Sequence, residues 1–272
     1  MYPEIFRFGG FVISSFGLMM VIAFLTGNYL LKKDMIQLGK DPMMAEDLTF
    51  NAALGGILGA KIYYILENLS SGHGIENLKG LKEIFFGIFT LTPDKIASGI
   101  QNFGAGMVFY GGLIGGTIAV TLYIRKHNLK WAVVADWTAP YLALCHGIGR
   151  IGCLLVGDDY GKPTDLPWGI AFPNGLPPTI VPVHPTQIYE ALAYFFVFLY
   201  LYKNRFAKQI SGIQISKYLI WVGISRFFIE FIRLNPKYII GLSGAQIISL
   251  IMIAIGSYYI FKSSKLNNNN LS

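Results

Sequence analysis

The stretch that decides the fold runs His146-Gly147-Ile148-Gly149-Arg150-Ile151-Gly152-Cys153 and continues as Leu154-Leu155-Val156-Gly157-Asp158-Asp159-Tyr160-Gly161. An arginine flanked by glycines closes a long apolar segment, and two carboxylates follow it. Arginine at membrane depth is costly and marks a functional position by default. The glycines would let another chain or a lipid headgroup approach the backbone closely. The alternative is a polar loop whose arginine snorkels to an interface.

Composition supports the membrane setting. The chain has 272 residues, 53% hydrophobic and 14% charged, with a mean hydropathy of +0.50. Soluble domains average about 25% charged, so this is an integral membrane protein. The net charge of +7 then reads as topology and anionic-lipid contact. No basic, aromatic-interleaved patch argues for nucleic acid as a partner. The two cysteines, Cys145 and Cys153, offer neither a disulfide framework nor a metal-ligand spacing. They read as small buried hydrophobes. No cleavable signal peptide is expected: the first apolar stretch is too long for one, and Lys32-Lys33 follows it as a stop-transfer flank.

Seven segments are long enough to cross a bilayer: about 11–31, 48–66, 107–124, 131–151, 186–202, 212–232 and 242–261. The fourth contains Pro140 and the second Lys61. The expected fold class is an all-α integral membrane protein of seven transmembrane helices. It is read as a single polytopic domain over 1–265, followed by a disordered polar tail at 266–272. The loop 67–106 has room for a short amphipathic helix near 78–89, and the loop 152–185 is rich in Pro and Gly.

Short-loop Lys and Arg set the orientation. Lys32, Lys33 and Lys40 follow span one; Arg125, Lys126 and Lys130 follow span three. Lys203, Arg205, Lys208 and Lys217 follow span five, and Lys262 and Lys265 follow span seven. The opposite side carries Arg7, Arg150, Lys162, Arg233 and Lys237 near its span ends. The first side is therefore cytoplasmic, with the N-terminus outside and the C-terminus cytoplasmic. Polar groups from four spans then converge near the outer face.

Those groups form three further constellations. Arg226, Glu230 and Arg233 are spaced by four and three, so they share one helix face. They make either an ion pair that ties the bundle together or a cationic pocket whose arginine forks suit a phosphate or carboxylate. His184-Pro185-Thr186-Gln187-Ile188-Tyr189-Glu190 opens span five, with Pro185 and Thr186 as a helix start. Tyr110-Gly111-Gly112-Leu113-Ile114-Gly115-Gly116 gives span three a glycine stripe. Such a stripe usually means close helix packing, although Tyr110 could supply a phenol to a site. Asp136 should be paired or hydrogen-bonded, and Lys61 should snorkel or join a charge network.

Together these segments resemble the prolipoprotein diacylglyceryl transferase family. The residues from Gly149 to Gly161 look like the family signature. Met107 to Gly115, His184 to Glu190 and Arg226 to Arg233 look like three further family motifs, in the family's order. Cys153 and Val156 stand where the signature usually has Asn, and Asp158 where it has Glu. Tyr110 stands where relatives often have His, and Phe16 replaces a Tyr of span one.

The resemblance implies transfer of a diacylglyceryl group from phosphatidylglycerol to the lipobox cysteine thiol of prolipoprotein signal peptides. The products would be a thioether and glycerol 1-phosphate. It also implies a multi-pass protein of the bacterial cytoplasmic (inner) membrane, active at the outer leaflet of the bilayer, with neither cofactor nor metal. Arg150 and Arg226 would hold the phosphate and Glu230 would orient them. Tyr110 or His184 would assist proton removal. Gly149, Cys153, Asp158, Gly161, Gln187, Tyr189 and Arg233 would help bind substrate. The alternatives are a divergent paralogue or a small-solute membrane transporter without transferase activity. A transporter would favour internal repeats, and none is visible.

The charge asymmetry generates a test. A reporter fused after Lys265 should score cytoplasmic, and one inserted near Gly72 external. The reverse pattern would refute the orientation.

Overall fold

The computed structural model describes residues 2–8, 11–104 and 106–269. Strands β1 (Glu4–Phe8) and β2 (Phe11–Ser14) pair and lead into helix α1 (Ser15–Gln37). Ser14 caps α1, its hydroxyl accepting the Gly17 N–H at 3.0 Å. Helices α2 (Met43–Glu67), α3 (His73–Phe89), α4 (Pro93–Gly104), α5 (Phe109–Lys126) and α6 (Trp131–Val156) follow. A two-stranded antiparallel sheet, β3 (Ile170–Phe172) with β4 (Thr179–Val183), precedes α7 (Thr186–Lys203). The chain ends with α8 (Ile213–Ile229), a 3₁₀ turn (Glu230–Ile232) and α9 (Gly244–Asn269). Positions 270–272 of the polar tail lie outside the described residues.

The protein is thus mainly helical, and its helices α1, α6 and α9 are long and apolar enough to cross a membrane. Their coverage differs. In α6, 56% of the apolar window is buried, against 17% in α1 and in α9. α6 is therefore the internal post, while α1 and α9 present most of their apolar surface outward, as lipid-facing helices do. Helices α2, α5, α7 and α8 lie over the other four apolar segments.

The chain divides into two compact units, one built on α1 and α6 to α9, the other on α2 to α5. In the first, α6 packs against α1, α7 and α8. Ala139, Ala143, Tyr194, Val197, Leu201, Tyr218 and Val222 form its core. Pro140 is buried inside α6 without interrupting it. Asp136 has a clear role: its carboxylate accepts the N–H groups of Gly212 at 2.6 Å and Ile215 at 2.9 Å, capping α8. Asp34 of α1 accepts the Tyr141 hydroxyl and the Arg205 Nε–H, the latter at 3.0 Å. That contact joins α1, α6 and the end of α7.

Several bounds differ from the hydropathy reading: residues 11–14 of the first expected span form strand β2, α1 runs on to Gln37, and two helix ends bear on the charged cluster. α6 runs to Val156 rather than stopping near residue 151, because Leu154, Leu155 and Val156 extend its apolar face. Gly157, at φ +77°, ends it in the left-handed conformation that glycine favours. α8 gives way after Ile229 to the 3₁₀ turn. The carbonyls of Phe231 and Ile232 are taken instead by the Lys162 ammonium at 2.9 Å and the Lys162 N–H at 2.8 Å.

In the second unit, the glycine stripe of α5 packs on Gly55, Gly56 and Gly59 of α2. A Cβ at Gly115 would collide with the Gly55 carbonyl oxygen. Close packing accounts for the stripe. Lys61 is buried and donates to Asn77 Oδ1 at 2.6 Å and to the Gly106 carbonyl at 3.1 Å. The amphipathic segment expected near 78–89 is α3, which begins at His73 and packs against α4.

Gly115→Leu should therefore force α2 and α5 apart. The expected cost is about 1–3 kcal/mol, read as a lower thermal midpoint in detergent, whereas Leu113→Ala on the exposed side of α5 should change little.

Candidate active site

The constellation grows from three helices of the first unit. α6 carries Arg150, α7 carries Glu190 in its second turn, and α8 carries Arg226 in its last. Glu190 has no exposed side-chain surface, and Arg150, Arg226 and Arg233 all pair with it. The Arg233 contact measures 3.2 Å. Asp159 closes the ring from the loop after α6, with Arg150 at 2.7 Å and Arg233 on its other oxygen. Glu230 lies 3.1 Å from Arg226 and 3.8 Å from Arg233. Its Oε1 accepts the Ser243 hydroxyl at 2.8 Å and the Asn235 amide at 2.6 Å.

Three guanidinium groups thus face three carboxylates. Burying charge this way requires near-complete pairing. Accessibility separates the arginines: the side chains of Arg150 and Arg226 remain 21% and 19% exposed, whereas Arg233 keeps 4%. The first two can meet an incoming anion; Arg233 is sealed into the protein. The helical spacing read from the sequence holds from Arg226 to Glu230 and breaks after it, yet Arg233 still returns to the same cluster.

The start of α7 explains its own sequence. Thr186 and Gln187, both fully buried, donate to the backbone carbonyls of Asp159 (2.6 Å) and Asp158 (2.5 Å). These bonds fix the loop that presents Asp159. Tyr189 accepts the Trp168 indole N–H at 2.7 Å and lies 3.3 Å from His184 Nδ1. Gly161 donates to the His184 carbonyl at 2.9 Å and bridges to Arg233. A Cβ there would stand 2.7 Å from the Ile232 carbonyl, so its glycine serves chain packing. Gly149 has more room, its nearest neighbour being Met20 Sδ at 3.9 Å. Cys153 is buried, with Arg150 at 3.7 Å from its sulfur.

Tyr110 belongs to the second unit, half exposed in the first turn of α5 and edge-on to Phe109. Cys153, Asp158 and Asp159 bring one donor atom each within 4.8 Å of one another. Both Asp159 oxygens already face guanidinium groups, which disfavours a cation there. Glu190 and Asp159 stand in motifs read from the sequence, but the sequence alone gives them no role in the cluster. The available signal for Glu190 was that it is the only carboxylate in the apolar sequence of α7.

The two loop carboxylates titrate in opposite directions. Burial raises the Asp158 carboxyl above its ordinary value, and the charge of Asp159 adds to that. Burial alone would raise Asp159 too, but Arg233 and Arg150 outweigh it and hold it low.

Comparison with known proteins gives this constellation its context. A sequence profile described as prolipoprotein diacylglyceryl transferase matches residues 3–262. A phosphatidylglycerol–prolipoprotein diacylglyceryl transferase of Clostridium tetani is 37% identical over 265 residues, covering 95% of this chain and 96% of that one. A second, from Clostridium perfringens, is 36% identical over 94% of this chain and 93% of its own length. One from Polynucleobacter asymbioticus is 31% identical over 96% of both. The chain belongs to the prolipoprotein diacylglyceryl transferase family, whose members are bacterial membrane enzymes.

The titrations predict a pH dependence. A raised carboxyl stabilises the fold in full below its ordinary value and loses that contribution as pH rises through its folded value. A depressed one contributes above its ordinary value and loses it as pH falls through its folded value. Asp158→Asn should therefore raise the thermal midpoint at pH 7, and by less at pH 4. Asp159→Asn should lower the midpoint at pH 7, with a smaller deficit in acid. Both are read by unfolding in detergent across pH 4–8.

Proposed function

We propose that Arg150 and Arg226 grip the phosphate of phosphatidylglycerol while a prolipoprotein cysteine attacks the adjoining carbon of the diacylglyceryl group. The enzyme is a transferase that moves this group from phosphatidylglycerol to the cysteine thiol. Sulfur forms a bond to carbon, the carbon–oxygen bond to phosphate breaks, and glycerol 1-phosphate leaves with the electron pair. The thiol proton passes to a base.

The observation that carries the residue roles is the shared anchoring of two partly open arginines by one sealed carboxylate. Glu190 and Glu230 hold the forks in a fixed plane, so no reorganisation is needed as charge builds on the departing phosphate. A planar fork also meets two phosphate oxygens at once. Arg233 and Asp159 position the other two arginines. Gln187, Gly161, Tyr189 and Asp158 shape the loop over them. Gly149 leaves backbone room beside Arg150 for the donor. Cys153 fills the next helical turn.

Tyr110 and His184 are the candidates for taking the thiol proton. An unperturbed thiol, with a pKa of about 8.5, needs such help at neutral pH. The setting completes the reading: seven spans in the bacterial inner membrane, N-terminus outside and C-terminus cytoplasmic, with the arginines at the outer leaflet. There the donor headgroup and the lipobox cysteine meet. The Lys and Arg asymmetry supports that orientation.

The test is transfer to a lipobox peptide by purified variants. Arg150→Ala and Arg226→Ala should each abolish transfer while the protein still accumulates in the membrane. Lys at either position should recover little, since a point charge cannot replace the fork. Near-normal transfer by an alanine variant would remove that arginine from the mechanism. Tyr110→Phe should slow transfer about 10²–10⁴-fold if the phenol moves the proton. A full-rate Phe variant would pass the role to His184.

A further inference from the structure

His146 has no part in the chemistry above, yet its setting is unusual. It lies one turn before Arg150 on the same face of α6, four residues away and about 6 Å along the axis. Its ring sits beside Tyr194 of α7, at 5.5 Å between centroids, and Tyr218 of α8, at 6.0 Å. Both tyrosines are buried, at 4% and 6% exposure, but His146 itself remains exposed. So does Leu142, one turn earlier on that face. An accessible imidazole inside an apolar span costs free energy unless something polar meets it.

The hydrogen bond to Tyr218 sets what His146 can offer. The Tyr218 hydroxyl lies 3.1 Å from Nδ1. A phenol is the better donor and an imidazole nitrogen the better acceptor. Tyr218 therefore donates to Nδ1, and the proton of the neutral ring sits on Nε2. The open edge of His146 is then a hydrogen-bond donor.

Phosphatidylglycerol supplies a matching acceptor at the right depth. With its phosphate at Arg150, its glycerol backbone extends away from the C-terminal end of α6, toward the acyl chains. The next polar atoms along it are the ester carbonyls. We infer that His146, oriented by Tyr218, donates from Nε2 to an ester carbonyl of the diacylglyceryl donor. This forms a second polar subsite one helical turn from the phosphate grip. The inference rests on the phosphate lying at Arg150. It makes His146 a residue that selects ester-linked over ether-linked lipid, because a dialkyl phosphatidylglycerol keeps the headgroup and loses both carbonyls.

The experiment compares diester and dialkyl-ether phosphatidylglycerol of matched chain length as donors for the purified full-length enzyme, with a lipobox peptide as acceptor. The unsubstituted enzyme should favour the diester about 5- to 10-fold in kcat/KM, the effect of losing one hydrogen bond. His146→Leu should bring that ratio close to one, mainly by lowering diester transfer. His146→Gln, whose amide can still donate, should keep most of the ratio. If the Leu variant fails to accumulate, Tyr218→Phe gives the same readout: the ring stays, its tautomer is released, and the ratio falls. An unsubstituted enzyme that is active with a ratio near one would overturn the subsite, as would an unchanged ratio in the substituted enzyme. So would equal loss on both lipids in the Gln variant, the signature of a base. Inactivity of the unsubstituted enzyme on both lipids would overturn the transferase reading itself.

Discussion

A carboxylate with no exposed side-chain surface, Glu190, holds guanidinium groups from α6, from α8 and from the segment after the 3₁₀ turn. Removing one partner of a buried ion pair typically costs about 3–5 kcal/mol, because the other charge is left uncompensated. Here one carboxylate serves three arginines, so its loss would strand all of them. Asp159 and Glu230 share the load but cannot replace it: Asp159 is 41% exposed, and Glu230 also accepts from Ser243 and Asn235. The meeting of α6, α7 and α8 is thus fixed by charge on one side and by the apolar core around Ala143 and Leu201 on the other.

The loop between α6 and α7 is part of the same construction. Thr186 and Gln187 hold its backbone from below, and Lys162 ties it to the carbonyls of Phe231 and Ile232. Asp159 reaches Arg150 and Arg233 because its backbone has been placed by these bonds. A loop rich in proline and glycine becomes a rigid presenter of one carboxylate. The left-handed conformations of Gly157 and Asp159, at φ +77° and +62°, turn the chain sharply enough to do it.

Much of this was legible in the sequence. Apolar length located the helices, and the charges at 150, 226, 230 and 233 stood out because lipid tolerates none of them. The spacing of Arg226 and Glu230 correctly put them on one face. What escaped was partnership. Glu190 is legible as a polar group at the outer end of span five but not as a partner, since nothing local shows that Arg150, forty residues earlier, ends beside it. The end of α8 escaped for a similar reason: the Lys162 bonds that open it come from a distant loop. Asp136 was legible as a satisfied charge but not as the cap of α8, because its partners lie 76 and 79 residues away.

The location of Glu190 also constrains how the protein is made. In the proposed seven-span arrangement, helices enter the membrane in chain order, so α6 with Arg150 arrives first and α7 with Glu190 second, while Arg226 and Arg233 are still to come. Arg150 is the one arginine already present that can neutralise the carboxylate of α7 as it enters hydrocarbon. A lone charge at that depth costs about 2.5–3.5 kcal/mol on insertion scales, so α6 and α7 have reason to leave the insertion machinery as a pair. The salt bridge between Arg150 and Glu190 is in that sense an assembly contact before it belongs to a finished charge cluster. The loop that joins the two helices, with its small sheet, then folds over a pair that has already met.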